Sequence, residues 1–187
     1  VPTHLAHLAY LPSMDGGRGD PGKPQRRPRP ALVLLEAVYN ARRRAKMFKL
    51  VYVSRAAPHV GRDEVRSIAD RAQVKNSVLG VTGFLCLHDG IFLQYLEGEE
   101  SAVRDLFGAI RCDDRHTILR VIELGHQADR NFATWGMRYL DDDFLGHMAI
   151  EDVLKGVVLE FGRGQVEEWR AHAMADRLVG RIAALAH

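Results

Sequence analysis

The chain has 187 residues, 47% of them hydrophobic and 27% charged, a balance that suits a globular protein with one main domain and appendages. Charge is uneven: residues 1–46 carry nine Lys/Arg against three Asp/Glu, which leaves seventeen against twenty-one in the remainder, and that mildly acidic remainder argues against a nucleic-acid binder. Two cysteines, Cys86 and Cys112, without CxxC spacing argue against a disulfide framework or a zinc site, while the apolar run "ALVLL" before Glu36 is too short for a membrane span or a signal-peptide core; a cytoplasmic protein with no membrane partner is expected.

The first segment, "PSMDGGRGDPGKPQRRPRP", is rich in Pro, Gly and Arg and predicts disorder, because it has too little apolar surface to offset the entropy of ordering. Residues 31–46, "ALVLLEAVYNARRRAK", suit a short basic amphipathic helix. Residues 1–46 are thus read as a disordered basic extension or as the result of an upstream start, with Met47 the usual one. "GRGDPGK", Gly17 to Lys23, has the glycine and lysine spacing of a phosphate-binding loop, but Pro24 stands where a hydroxyl should bind magnesium and no strand precedes it. "HLAH" at His4–His7 lacks further metal ligands. Both are read as chance.

From Met47 the pattern becomes regular. "MFKLVYVS" alternates Phe48, Leu50, Tyr52 and Ser54 against Val51 and Val53, a strand apolar on both faces. "GRDEVRSIADRAQVKN" sets Val65, Ile68, Ala69 and Ala72 on one helical stripe. "VLGVTGFLCLHDGIFLQYLEG" reads as a hairpin around Asp89-Gly90, a pair that favours tight reversed turns. A second helix is expected over 99–112 with its stripe at Val103, Leu106, Phe107 and Ile110, and strands near 118–125 and 133–139. The order βαββαββ predicts an α+β, ferredoxin-like sheet over residues 47–140, with two helices on one face. The C-terminal region, 141–187, is expected to cap the other face through Val153, Leu154, Val157, Val158 and Phe161, then Val166, Trp169, Ala173, Ile182 and Leu185. Projection of these helices into an oligomer interface is the alternative.

Several polar groups fall inside this frame. Tyr52 is on the first strand, Asn76 at the end of the first helix and Gln94 on the third strand, sharing a face with Phe92 and Leu96; Trp135 and Met137, two apart on the last strand, are expected to converge with them on the helix-covered face. Singly, each has an ordinary reading: a core tyrosine bonded to a carbonyl, a helix cap, a buried amide satisfied by backbone, a gap-filling methionine.

Taken together, "LVYVSRA", "NSVLGVTGFL", "GIFLQYLEG", "DDRH" and "FATWGM" stand in the order and spacing of the BLUF family, blue-light sensors that use FAD, and the chain resembles that family from Phe48 to about Tyr139. The resemblance implies a flavin between the two helices, with Tyr52 the photoactive tyrosine and Gln94 its partner. It implies that Asn76 contacts the flavin's O4 side, with Lys75 beside it and Ile68 packed on the ring. Asp113, Arg115 and His116 would meet the polar edge and the ribityl or phosphate region, and Trp135 and Met137 would transfer the signal. Ala109 stands where several members carry a basic residue, so one cofactor contact is expected to be missing.

Family behaviour further implies that light drives an electron and proton out of Tyr52, that the Gln94 amide rearranges, and that a relocated hydrogen bond remains on the flavin. An amide carries donors at one end and an acceptor at the other, so one side chain stores two bonding patterns. No turnover is implied, so the expectation is a photosensor rather than an enzyme, acting on an unidentified downstream protein or within a homo-oligomer. Two other uses of this topology rank behind it. An RNA binder needs exposed sheet aromatics and a basic face; an acyl-phosphate hydrolase needs an anion loop, for which "SRAAPHVGR" offers Arg55, Gly61 and Arg62.

Overall fold

A computed structural model describes residues 46–147, 151–163 and 166–186. The readings made of residues 1–45, the phosphate-loop look-alike and the basic helix among them, lie outside the described residues. Strand β1 (Met47–Ala56) leads to helix α1 (Arg62–Leu79), strands β2 (Thr82–His88) and β3 (Ile91–Gly98), helix α2 (Glu100–Ile110), strand β4 (His116–Gln127) and the two-residue strand β5 (Arg138–Tyr139). Helices α3 (Asp142–His147), α4 (Glu151–Gly162) and α5 (Glu168–Leu185) follow. The sheet order is β4-β1-β3-β2-β5, antiparallel except for the β2–β5 pair, which is the ferredoxin-like arrangement with one added parallel edge.

Local chemistry explains the connections. The β2–β3 turn places Asp89 at φ 48° and Gly90 at φ 72°, the left-handed pair that a tight hairpin needs. Helix α1 stops at Gly80, whose φ of 63° lets the following Val81 N–H return to the Asn76 carbonyl at 2.9 Å. Helix α2 starts at Glu99, whose carboxylate accepts from the Ala102 N–H at 3.1 Å.

Because side chains alternate along β1 and β3, the sheet feeds two cores. On one face Phe48, Leu50, Tyr52, Phe92 and Leu96 pack with Val65 and Ala69 of α1 and Val103, Leu106 and Phe107 of α2. On the other, Val51, Val53, Leu93 and Tyr95 meet Leu154, Val158 and Phe161 of α4 and Ala171, Ala175, Leu178, Val179 and Ile182 of α5. The C-terminal helices therefore cover the second face, and α4 does so through the expected stripe. The stripe expected on α5 is out of phase: Trp169 is 69% exposed and Ala173 and Leu185 face solvent, with Ile182 alone of the α5 residues expected there among the buried ones. Small residues at 171 and 175 let the helix lie close to the sheet, which a tryptophan at the contact would prevent.

Candidate cofactor cleft between α1 and α2

The stripes of α1 and α2 face the same side of the sheet without closing on each other. Between them lies a cavity of about 240 Å³ floored by Tyr52, Leu85, Phe92 and Gln94. Helix α1 presents Ile68, Arg71, Ala72, Lys75 and Asn76 to it, at helical spacing, and α2 presents Leu106, Ala109 and Ile110. Asp113, Arg115 and His116 close one end. All eight residues expected to hold a cofactor thus line one cavity.

Tyr52 and Gln94 are direct partners across the β1–β3 pair, and the Tyr52 hydroxyl donates to Gln94 Oε1. Burial, and secondly the charge of Asp113, push the Tyr52 phenol well above its ordinary value, so it keeps its proton. The other end of the same amide, Nε2, donates to Met137 Sδ at 3.4 Å, with Gln94 6% exposed and Met137 2% exposed. Gln94 therefore bridges a phenol and a thioether in the floor of the cleft.

Asn76 is more than a helix cap. Its Nδ2 donates to the Gly136 carbonyl at 3.1 Å, which ties α1 to the approach to β5, while its Oδ1 is buried with no partner. His116 is similar: Nε2 meets the Ile110 carbonyl at 3.0 Å, and Nδ1 is buried with no partner. Arg115 is held by Asp113 through Nε at 2.9 Å and a terminal nitrogen at 2.5 Å, and reaches Glu64 at 3.3 Å. The hydrogen bonds from Arg115 bring the Asp113 carboxyl down to about 2. Lys75 stands exposed at the rim.

Trp135 departs from expectation. The residues before β5 are not strand but bends, so the two-residue alternation that would have put Trp135 and Met137 on one face does not apply. Met137 turns to the Gln94 side; Trp135 packs in the other core, stacked on Phe132 at 4.8 Å and edge-on to Phe144 at 6.2 Å. The Arg138 guanidinium lies over both Trp135 and Phe144, at 4.9 and 4.5 Å.

Arg71, Ala72, Leu85, Phe92, Leu106 and Ile110 also line the cavity and are not among the residues the sequence points to. Four of these six lie on the helix faces of α1 and α2, and Ala72, Leu106 and Ile110 read from the sequence as core stripes; what patterning lacks is the gap between the two helices. Arg71 adds a cation to the wall opposite Ala109. Arg62 of the look-alike anion loop is paired with Asp142. Among the described residues, no cluster of three His, Cys, Asp or Glu could hold a metal, and no helix is long and apolar enough to cross a membrane.

Comparison with known proteins agrees with this arrangement. Residues 47–138 match the family model described as sensors of blue-light using FAD. A solved structure described as BlrP1 BLUF is 33% identical, with a TM-score of 0.51, and the match covers 76% of this chain and 93% of that one. The dark-state structure of BlrB, a BLUF protein, is 25% identical with a TM-score of 0.56, over 76% of this chain and 98% of that one. Photoactivated adenylate cyclase subunit beta of Euglena longa is 30% identical over 114 residues, 60% of this chain but 13% of that protein, so the chain spans a small part of that curated relative's length. With its α+β sheet, its cleft and these matches, the chain belongs to the BLUF family, the blue-light sensors that use FAD.

Proposed function

We propose that this chain is a blue-light photoreceptor that binds FAD between α1 and α2 and signals by exchanging the hydrogen bonds of Gln94. The observation that carries the proposal is the bridge from Tyr52 through Gln94 to Met137 in the floor of the cleft. The residues present fit a flavin. The cavity, at about 240 Å³, lies just below the ~300–1,000 Å³ of common ligand pockets, so it would hold a ring system rather than a whole dinucleotide, and Arg71, Lys75 and Arg115 would offer cations to the remainder. The unpartnered Asn76 Oδ1 and His116 Nδ1 are polar groups of the kind a heteroaromatic edge satisfies.

Bound FAD would supply blue-light absorption and an excited state able to accept an electron. The protein's part is positional. Tyr52 keeps a proton on its oxygen and aims it at Gln94 Oε1, while the amide's other end rests on Met137. Rotation or tautomerisation of the amide exchanges donor and acceptor ends without moving the backbone. Ile68, Leu106 and Ile110 exclude water, which strengthens each hydrogen bond. A bias of about 1.4 kcal/mol shifts a two-state protein tenfold, within reach of one such bond. The output passes to a partner protein or a second copy rather than to turnover in this chain, and the compartment is the cytoplasm.

The test is an absorption spectrum before and after blue light, with the released flavin identified by mass. A bound FAD whose band moves slightly red and returns in darkness is expected. A colourless protein that also refuses added FAD overturns the proposal.

A further inference from the structure

Glu97 lies three residues beyond Gln94 on β3, and its side chain points to the opposite face of the sheet. It is 0% exposed and takes four hydrogen bonds. Oε1 accepts from Thr82 Oγ1 at 3.0 Å and the Phe132 N–H at 2.7 Å; Oε2 accepts from the Tyr95 hydroxyl at 2.8 Å and the Asn131 N–H at 2.8 Å. Only donors face it, which suits a carboxylate. Across the β1–β3 ladder stands Lys49, itself 4% exposed, a buried cation opposite a buried anion. Burial lowers the Lys49 pKa and the Glu97 charge opposes that shift.

Two of the four donors are consecutive backbone amides at the start of the segment that carries Trp135 and Met137. Arg130, just before them, donates to Thr82 Oγ1, to the Glu97 carbonyl and to the Gly80 carbonyl. Phe132, held through its N–H, stacks on Trp135, and the Trp135 carbonyl accepts from Gly83. At the far end, Met137 receives the Gln94 amide on the other face. One strand, β3, therefore grips residues 131–137 at both ends, by Glu97 behind the sheet and by Gln94 in front.

We infer that Glu97 is a positioning residue for the light switch: its carboxylate anchors residues 131 and 132 so that a change in Gln94 bonding displaces only the stretch from Trp135 to Met137. This rests on the photosensor reading above. The anchor makes the response local, because a segment held at one end must turn about that end, whereas a free one would absorb the change by drifting.

The test uses the full flavin-loaded chain, with amide exchange followed in darkness and under blue light. In the wild type, the Asn131 and Phe132 amides, which belong to no helix or strand, exchange about a hundredfold more slowly than free loop amides in both states, while Gly136 and Met137 change with light. Fast exchange at 131 and 132 overturns the inference without any variant. Glu97→Gln keeps the side chain's size but turns a donor toward one of these amides. Its flavin spectrum and red shift stay as in the wild type, since Tyr52, Gln94 and Met137 lie on the other face. Its protection at 131 and 132 falls at least tenfold, and in a Trp169→Phe background the light-induced change in Trp135 fluorescence falls to less than half. Retention of both overturns the inference. Thr82→Val, which removes a donor from Glu97 but leaves its two amides, keeps the wild-type response; an equal loss there assigns the effect to general loosening and also overturns it. Absence of flavin or of a red shift in the wild type counts against the photosensor reading instead, and amide protection, which needs no light, still decides the anchor.

Discussion

Tyr52 and Gln94 are joined across two strands, so each can be tested without disturbing the other's backbone. Tyr52→Phe removes the hydroxyl that donates to Gln94 and keeps the ring that packs on Phe107 at 5.2 Å. Flavin binding is expected to persist while the lasting red shift disappears in a light-minus-dark spectrum; an undiminished shift removes Tyr52 from the mechanism. Gln94→Leu abolishes both ends of the bridge at similar size, and the dark spectrum itself is expected to move, with no further change on illumination. A variant that cycles like the wild type makes the amide structural. Gly83 shows a different constraint. A Cβ there would stand 1.9 Å from the Tyr95 carbonyl oxygen, a backbone atom that cannot rotate away. Gly83→Ala is expected to cost about 3 kcal/mol, read from the urea midpoint. Gln94 stood out in the sequence because strand alternation placed an amide among apolar neighbours. The Glu97 anchor did not, since two of its four partners, the ones it would anchor, are backbone amides from a loop more than thirty positions away.

Helices α1 and α2 owe their place to stripes that the sequence displayed, but the cleft exists because Ala72 and Ala109 face it with small side chains. Its closed end depends on the turn after α2, where Asp113 is bound by Arg115. The Asp113 carboxyl is lowered to about 2, from an unfolded value of about 3.9. A lowered carboxyl contributes stability that is present above the unfolded value and fades as pH falls through the folded one, so this contribution is lost between about pH 4 and pH 2. Asp113→Asn is expected to lower stability by about 1 kcal/mol at neutral pH, and to flatten the acid limb across that window, as measured by urea unfolding at successive pH values. An unchanged acid limb would mean that the pair persists in the unfolded chain. The phase of α5 illustrates what periodicity leaves open. Two stripes were available at the start of that helix, one with Trp169 and one with Ala171 and Ala175, and the second docked because it continues into Leu178, Val179 and Ile182, whereas the Trp169 side runs into Asp176 and Arg177.

Across the molecule, the two cores meet at the lead into β5, where Met137 belongs to the front and Trp135 to the back. From Trp135 the packing continues to Phe144 of α3 and, within the same core, to Leu154 and Phe161 of α4. A change at Gln94 thus has a packed route to the C-terminal helices, provided these have two arrangements of similar energy. Met137→Ala is expected to preserve the flavin shift and to reduce the light-induced change in amide exchange over residues 151–186; identical protection of those helices in dark and light wild-type protein would eliminate the route. The element order, the hairpin turn and both helix stripes were legible in the sequence because each rests on spacing along the chain: two for strands, three to four for helices, an Asp-Gly at the turn; the partnership of Tyr52 with Gln94 was implied only by the resemblance to the family. The side of the sheet that Trp135 occupies, the face of α5 that docks, the gap between α1 and α2 and the four-donor hold on Glu97 were decided only in the folded state. They depend on the approach of segments far apart in sequence, and no local period encodes how closely two such segments pack.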